Sequence, residues 1–177
     1  MNHIEQTLVI IKPDGVERCL IGEIISRFER VGLKLIAMNM VQPTSQQIEQ
    51  HYTLDTGWKK AVGEKTIAGY KEKGMVAPSE DPFEIADSIL LRLSTYMTAG
   101  PVIPMIWEGP HAVKLVRKII GGTEPLSSDV GTIRGDYVLD SYQLATDENR
   151  SIRNLVHASG SVPEAKMEIE HWFGIRG

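Results

Sequence analysis

Apolar and polar positions fall in blocks whose spacing names most of the elements. Residues 7–11 form a short β-branched apolar run, and Lys12-Pro13-Asp14-Gly15 ends it with a strong turn signal. This predicts a buried strand that delivers Lys12 to its C-terminal edge. Ile21, Ile24, Ile25 and Phe28 then share one helical face, with Gly32 as the stop. Residues 33–41 are apolar again, with Lys34 and Asn39 as interruptions, and predict a second strand. Thr44 and Gln47 have capping-box spacing for a short helix ending near His51-Tyr52.

The pattern weakens over 53–88, where Gly57, Gly63, Gly69, Gly74, Pro78 and Pro82 stand among many charges. We read this block as an insertion of short helices inside a single domain covering 1–177. Residues 89–97 look helical, Ala99-Gly100-Pro101 is a turn, and 102–107 predict a third strand. Pro104 removes one ladder donor there and suggests an edge or a bulge. Residues 111–120 are helical and end at Gly121-Gly122. Residues 132–136 read as loop, 137–139 as the start of a fourth strand, and 146–153 as exposed polar chain. Ser161, Pro163 and Glu164 open a last helix, with Ala165, Ile169 and Trp172 as its buried stripe. The order fits a ferredoxin-like α+β sandwich, a four-stranded antiparallel sheet with helices on one face.

Composition narrows the function. Lys+Arg total 19 and Asp+Glu 23, a net charge of -4, which speaks against general nucleic-acid binding. Aromatics at 6% also disfavour an RNA-binding module on this fold, which needs exposed stacking rings. The single cysteine, Cys19, excludes an intramolecular disulfide and a cysteine-based zinc site. Without a signal-peptide pattern at Met1 to Gln6, or an apolar run long enough for a membrane helix, a cytoplasmic chain with no membrane partner is expected.

None of the five histidines shows metal-ligand spacing. His157 stands out by its neighbours: Ala158, Ser159 and Gly160 leave room for a bulky ligand, and a capped helix start follows. Glu168 on that helix can reach back to orient an imidazole nitrogen. Lys12 at a strand end, Arg117 with Thr123 just past the Gly-Gly stop, and Arg134 in a Gly-flanked loop are cations and a hydroxyl suited to phosphates. Three other matches carry no chemistry. Gly63-Glu64-Lys65-Thr66 lacks the Gly-Lys-Ser/Thr of a P-loop, and Arg134-Gly135-Asp136 and Asn149-Arg150-Ser151 would need an extracellular setting.

Taken together, several stretches resemble the nucleoside diphosphate kinase family. They are Thr-Leu-Val-Ile-Ile-Lys-Pro-Asp-Gly-Val at 7–16, its continuation at 20–29, His51-Tyr52, Gly100-Pro101-Val102, Trp107-Glu108-Gly109, and 117–123 with 131–136. Asn-Leu-Val-His-Ala-Ser at 154–159 matches the family's active-site signature except its last residue, where Gly160 replaces Asp. The resemblance implies transfer of the γ-phosphate of a nucleoside triphosphate to a nucleoside diphosphate by a ping-pong cycle, with His157 as nucleophile. Lys12 and Tyr52 would sit by the transferring phosphate. Arg117, Thr123 and Arg134 would hold the terminal phosphates, Asn154 with Lys12 would bind the sugar, and Glu168 with Ser159 would support His157. Mg²⁺ would ride on the nucleotide, with no direct protein ligand. A homo-oligomer of unspecified number is implied.

Members clamp the base against a phenylalanine. Gapless alignment back from Gly100 puts Ile89 there, so the aromatic is lost or comes from the insertion. The blocks 53–88 and 141–153 are both longer than their family counterparts. A silent nucleotide-binding member and a side activity on protein acceptors stay open as alternatives.

Overall fold

The computed structural model describes residues 3–72 and 74–174. Its centre is β1 (Ile4–Ile11), which pairs antiparallel with β3 (Ile103–Pro110) along its whole length, from Ile4 opposite Pro110 to Ile11 opposite Ile103. On its other side β1 pairs with β4 (Val156–Ala158), with Ile10 opposite His157. Strand β2 (Lys34–Met38) lies outside β3, which gives the sheet order β2-β3-β1-β4. The fold is the expected ferredoxin-like α+β sandwich with a four-stranded antiparallel sheet.

In chain order the helices are α1 (Pro13–Glu17), α2 (Ile21–Glu29), α3 (Ser45–Thr53), α4 (Trp58–Glu72), α5 (Pro82–Met97), α6 (Ala112–Ile120), α7 (Ile133–Tyr137), α8 (Tyr142–Asp147) and α9 (Val162–Phe173). Strand residues alternate between the two faces of the sheet. Val9, Ile11, Met105 and Trp107 therefore pack with Ile24 and Phe28 of α2 and Val116 and Ile120 of α6. Leu8, Ile10 and Ile106 face the other way and pack with Ile48 of α3, Met97 of α5 and Ile169 and Trp172 of α9. Helices thus cover both faces, not one. The run at 7–11 is apolar without alternation because neither face of β1 meets water. The same parity sends His157 to the α3–α9 face, while its neighbours Val156 and Ala158 join the opposite core.

Several local expectations are corrected. The stretch read as short helices holds two long ones, α4 of 15 residues and α5 of 16. The glycines of α4 do not break it. Gly63 is where α5 crosses, since a Cβ there would stand 2.0 Å from the Pro82 carbonyl oxygen. Asp81 caps α5 by accepting from the Phe83 N–H at 2.8 Å, so that helix starts at Pro82 and not near 89. Residues 132–136 are not loop, because Thr132 caps α7 through the Gly135 N–H at 3.0 Å. The fourth strand is β4 and not 137–139, where Leu139 is fully exposed. Pro104 sits in an interior strand. Its carbonyl accepts from Asn39 at 3.1 Å, so its missing donor falls where β2 has already ended, and the register shift lies in β2 between Leu35 and Ala37. Helix α8, capped by Ser141 accepting from Leu144, was not foreseen.

Candidate active site

Glu168 links three side chains. Its Oε1 lies 2.7 Å from His157 Nε2 and its Oε2 accepts from the Ser159 hydroxyl at 2.6 Å. His51 Nε2 stands 3.7 Å from the same Oε1, and the Trp172 indole N–H donates to His51 Nδ1 at 3.1 Å. Glu168 is buried at 3% exposure. Burial alone would raise its pKa. The neighbouring His157, as charge and as hydrogen-bond partner, outweighs that and holds the carboxyl down at about 2. His51 goes the other way: burial, then the charge of His157, lowers it to about 3, so it is neutral. With Nδ1 accepting from Trp172, the neutral His51 carries its proton on Nε2.

The donor atoms of His51, His157 and Glu168 all lie within 4.8 Å of one another, close enough to raise the question of a metal. The chemistry of the set answers it. Trp172 takes the only lone pair that neutral His51 has free, so the trio offers two ligands and does not fit a resident ion.

The cations form a second group. Lys12 Nζ donates to Asn154 Oδ1 at 2.7 Å, and Asn154 Nδ2 donates to the Thr123 carbonyl at 2.8 Å. The Lys12 amide bonds the Leu155 carbonyl at 2.7 Å, and the Leu155 amide donates to Asp14 Oδ2 at 3.2 Å. These bonds hold Leu155 at φ 65, a backbone strain two residues before His157. Tyr96 completes the corner by donating to Asp14 Oδ1 at 2.6 Å. Burial, then the charge of Arg134, lowers the pKa of Lys12 to about 7. Arg134 is fastened by main-chain carbonyls: Asn154 at 3.2 Å, Gly121 at 3.1 Å, Gly122 at 2.8 Å and Val156 at 2.6 Å. Arg117 is exposed and reaches the Ala158 carbonyl at 3.4 Å. Among the described residues no carboxylate lies within ion-pair distance of Lys12, Arg117 or Arg134.

Both groups open on one cleft of about 980 Å³. Lys12, Tyr52, Arg117, Thr123, Arg134, Asn154, His157 and Glu168 all line it, while Ser159 lies behind Glu168, away from the opening. Burial, then the charge of Glu168, raises the pKa of Tyr52, so its phenol stays protonated. Ile89 lines the cleft, and so does Trp58 at the start of α4, whose ring centroid is 5.6 Å from that of Tyr52. Where the signature would have Asp, the Gly160 amide is occupied by Glu164 Oε2 at 2.9 Å. Sequence reasoning missed His51, Trp172, Asp14 and Tyr96 as parts of this assembly. Trp172 was read from its apolar body alone, and its N–H was the available signal.

An α+β sandwich with a histidine–carboxylate pair at the floor of a cleft walled by unpaired cations defines an enzyme built to receive an anionic ligand. The family model for nucleoside diphosphate kinase matches residues 5–67 and 87–176. The chain belongs to the nucleoside diphosphate kinase family, and it is an enzyme of that kind. It is 46% identical over 174 residues to a nucleoside diphosphate kinase of Pyrobaculum aerophilum, covering 96% of this chain and 95% of that one. An NDP kinase crystal structure from the same organism superposes with a TM-score of 0.91 at 45% identity, over 96% of each chain. A Borrelia burgdorferi nucleoside-diphosphate kinase, captured as a transition-state mimic with vanadate and ADP, superposes with a TM-score of 0.78 at 34% identity, covering 96% of this chain and 87% of that one.

Proposed function

We propose that the chain transfers phosphate by a ping-pong cycle through His157, maintaining nucleoside triphosphate and deoxynucleoside triphosphate pools. The observation that carries this reading is the 2.7 Å contact between His157 Nε2 and Glu168. With Nε2 bearing the proton and held by the carboxylate, Nδ1 keeps a lone pair toward the cleft. In the first half-reaction Nδ1 forms a bond to the γ-phosphorus of ATP, the bond from that phosphorus to the bridging oxygen breaks, and ADP leaves with its electron pair. In the second, the terminal oxygen of another nucleoside diphosphate takes the phosphoryl group and frees Nδ1. Glu168 steadies the imidazolium character that develops, and Ser159 fixes Glu168.

Lys12, Tyr52, Arg117, Thr123 and Arg134 bind the phosphates, and Asn154 with Lys12 binds the sugar. Such a transfer needs positioning and charge neutralisation more than covalent help from other groups. Mg²⁺ enters as part of the nucleotide, whose phosphates Lys12, Arg117 and Arg134 face. The base lies against Trp58, which supplies the aromatic face in the cleft that Ile89 does not. We take the chain as one domain with a family-atypical block inside 53–88, since the family model also matches 53–67 and 87–88. The family model leaves 68–86 of it unmatched. Among the described residues no helix is long and apolar enough to cross a membrane.

The test is phosphoenzyme formation. Incubation with γ-labelled ATP and Mg²⁺ is expected to leave acid-labile, base-stable label that moves to GTP when GDP is added. His157→Ala is expected to take no label. A folded wild-type chain that takes none would overturn the mechanism.

A further inference from the structure

Tyr142 opens α8, within the 141–153 stretch that the family resemblance sets apart, and no expectation from the sequence named it. Its side chain lines the same cleft as Thr123, Arg134 and His157. The phenol interacts with the Thr123 side chain and lies within the electrostatic reach of Arg134. Its own backbone is pinned: the Tyr142 amide donates to Glu124 Oε1 at 3.0 Å. The turn before it is pinned as well. Asp140 is held by two Arg150 nitrogens at 2.7 and 3.0 Å and accepts the amides of Ser141 at 2.8 Å and Arg153 at 2.7 Å. With its backbone anchored and its hydroxyl bonded to the Thr123 side chain, the phenol needs little further ordering when it binds.

We infer that Tyr142 is a further binding residue of this site, its hydroxyl donating to the phosphate tail of the nucleotide beside Thr123 and Arg134. The assignment rests on the nucleotide reading of the cleft. Two points support it. Burial and the nearby Glu124 raise the pKa of the phenol, so it keeps its proton and remains a donor. Arg134 spends four of its five N–H groups on carbonyls, so it offers charge but few donors, and a neighbouring hydroxyl supplies the direction that it lacks.

Calorimetric titration with ADP and with adenosine tests this on the full chain, for wild type, Y142F and Leu144→Ala. Leu144 is on the same helix but outside the cleft lining. Y142F is expected to bind ADP about tenfold more weakly, the effect of one hydrogen bond to a charged acceptor, and adenosine as wild type does. Leu144→Ala is expected to bind both as wild type does. ADP binding by Y142F as tight as wild type or tighter overturns the assignment. So does an equal loss for ADP and adenosine, or the same loss in Leu144→Ala. A wild-type chain that binds no ADP would instead sink the nucleotide reading itself, and the assignment with it.

Discussion

Lys12 carries the clearest consequence at the scale of one residue. Burial and the charge of Arg134 lower its pKa from 10.5 to about 7. At pH 8 the empty site therefore holds Lys12 largely neutral, while a bound polyphosphate favours the charged form. Nucleotide binding at pH 8 is expected to take up about one proton, and affinity is expected to fall as pH rises above 7. Titrations with MgADP in two buffers of different ionisation enthalpy check this, and a heat independent of buffer would contradict it. Stability follows the opposite sign. Between pH 7 and 10.5 the unfolded chain binds the proton that the folded chain has lost, so this group's contribution to stability rises with pH. The sequence placed Lys12 at a strand end, and that much was legible. Its neighbours Tyr96 and Asp14 were not, because a hydrogen bond between residues 82 positions apart leaves no local pattern.

The α4–α5 pair is the element that most departs from the expectation of short pieces. It has its own small core of Ile67, Ala77 and Ile85, and the two helices touch closely at Gly63. A methyl at that position meets main chain, which cannot swing aside. Gly63→Ala is expected to destabilise the fold by about 1–3 kcal/mol, the scale of overpacking a close contact, as read from urea unfolding. An unchanged midpoint would show that the crossing is looser than described. Gly-rich spacing looked like weakness because the sequence shows a missing side chain and not the helix that fills its place. Elements whose signals are local, such as α9 with its Ser161 cap and β1 with its apolar run, were read correctly. β4 was not. Its three residues have no period of their own and become a strand only because β1 offers an edge. That strand nevertheless decides the site, since its parity turns His157 toward Glu168.

For the molecule as a whole, the expectation is the homo-oligomer that the family resemblance implies. Ile36 and Met38 lie on the outermost strand β2, followed by Met40, and all three are substantially exposed. Leu126, Val130 and Leu139 are exposed at 78%, 93% and 100%. The exposed apolar groups along the open β2 edge form a surface that a second copy can cover. Light scattering is expected to give a mass that is a whole multiple, two or more, of 19.7 kDa, and a monomer at micromolar concentration would refute the homo-oligomer.

Arg134 is a charge fixed in place by the main chain. Its guanidinium is bolted to carbonyl oxygens from two separate stretches of chain, and burial with the charge of Arg117 lowers its pKa only to about 10, so it stays positive. A salt crystal with such a site would be short of one anion. On the nucleotide reading, the polyphosphate is the counter-ion that the fold does not supply from its own residues.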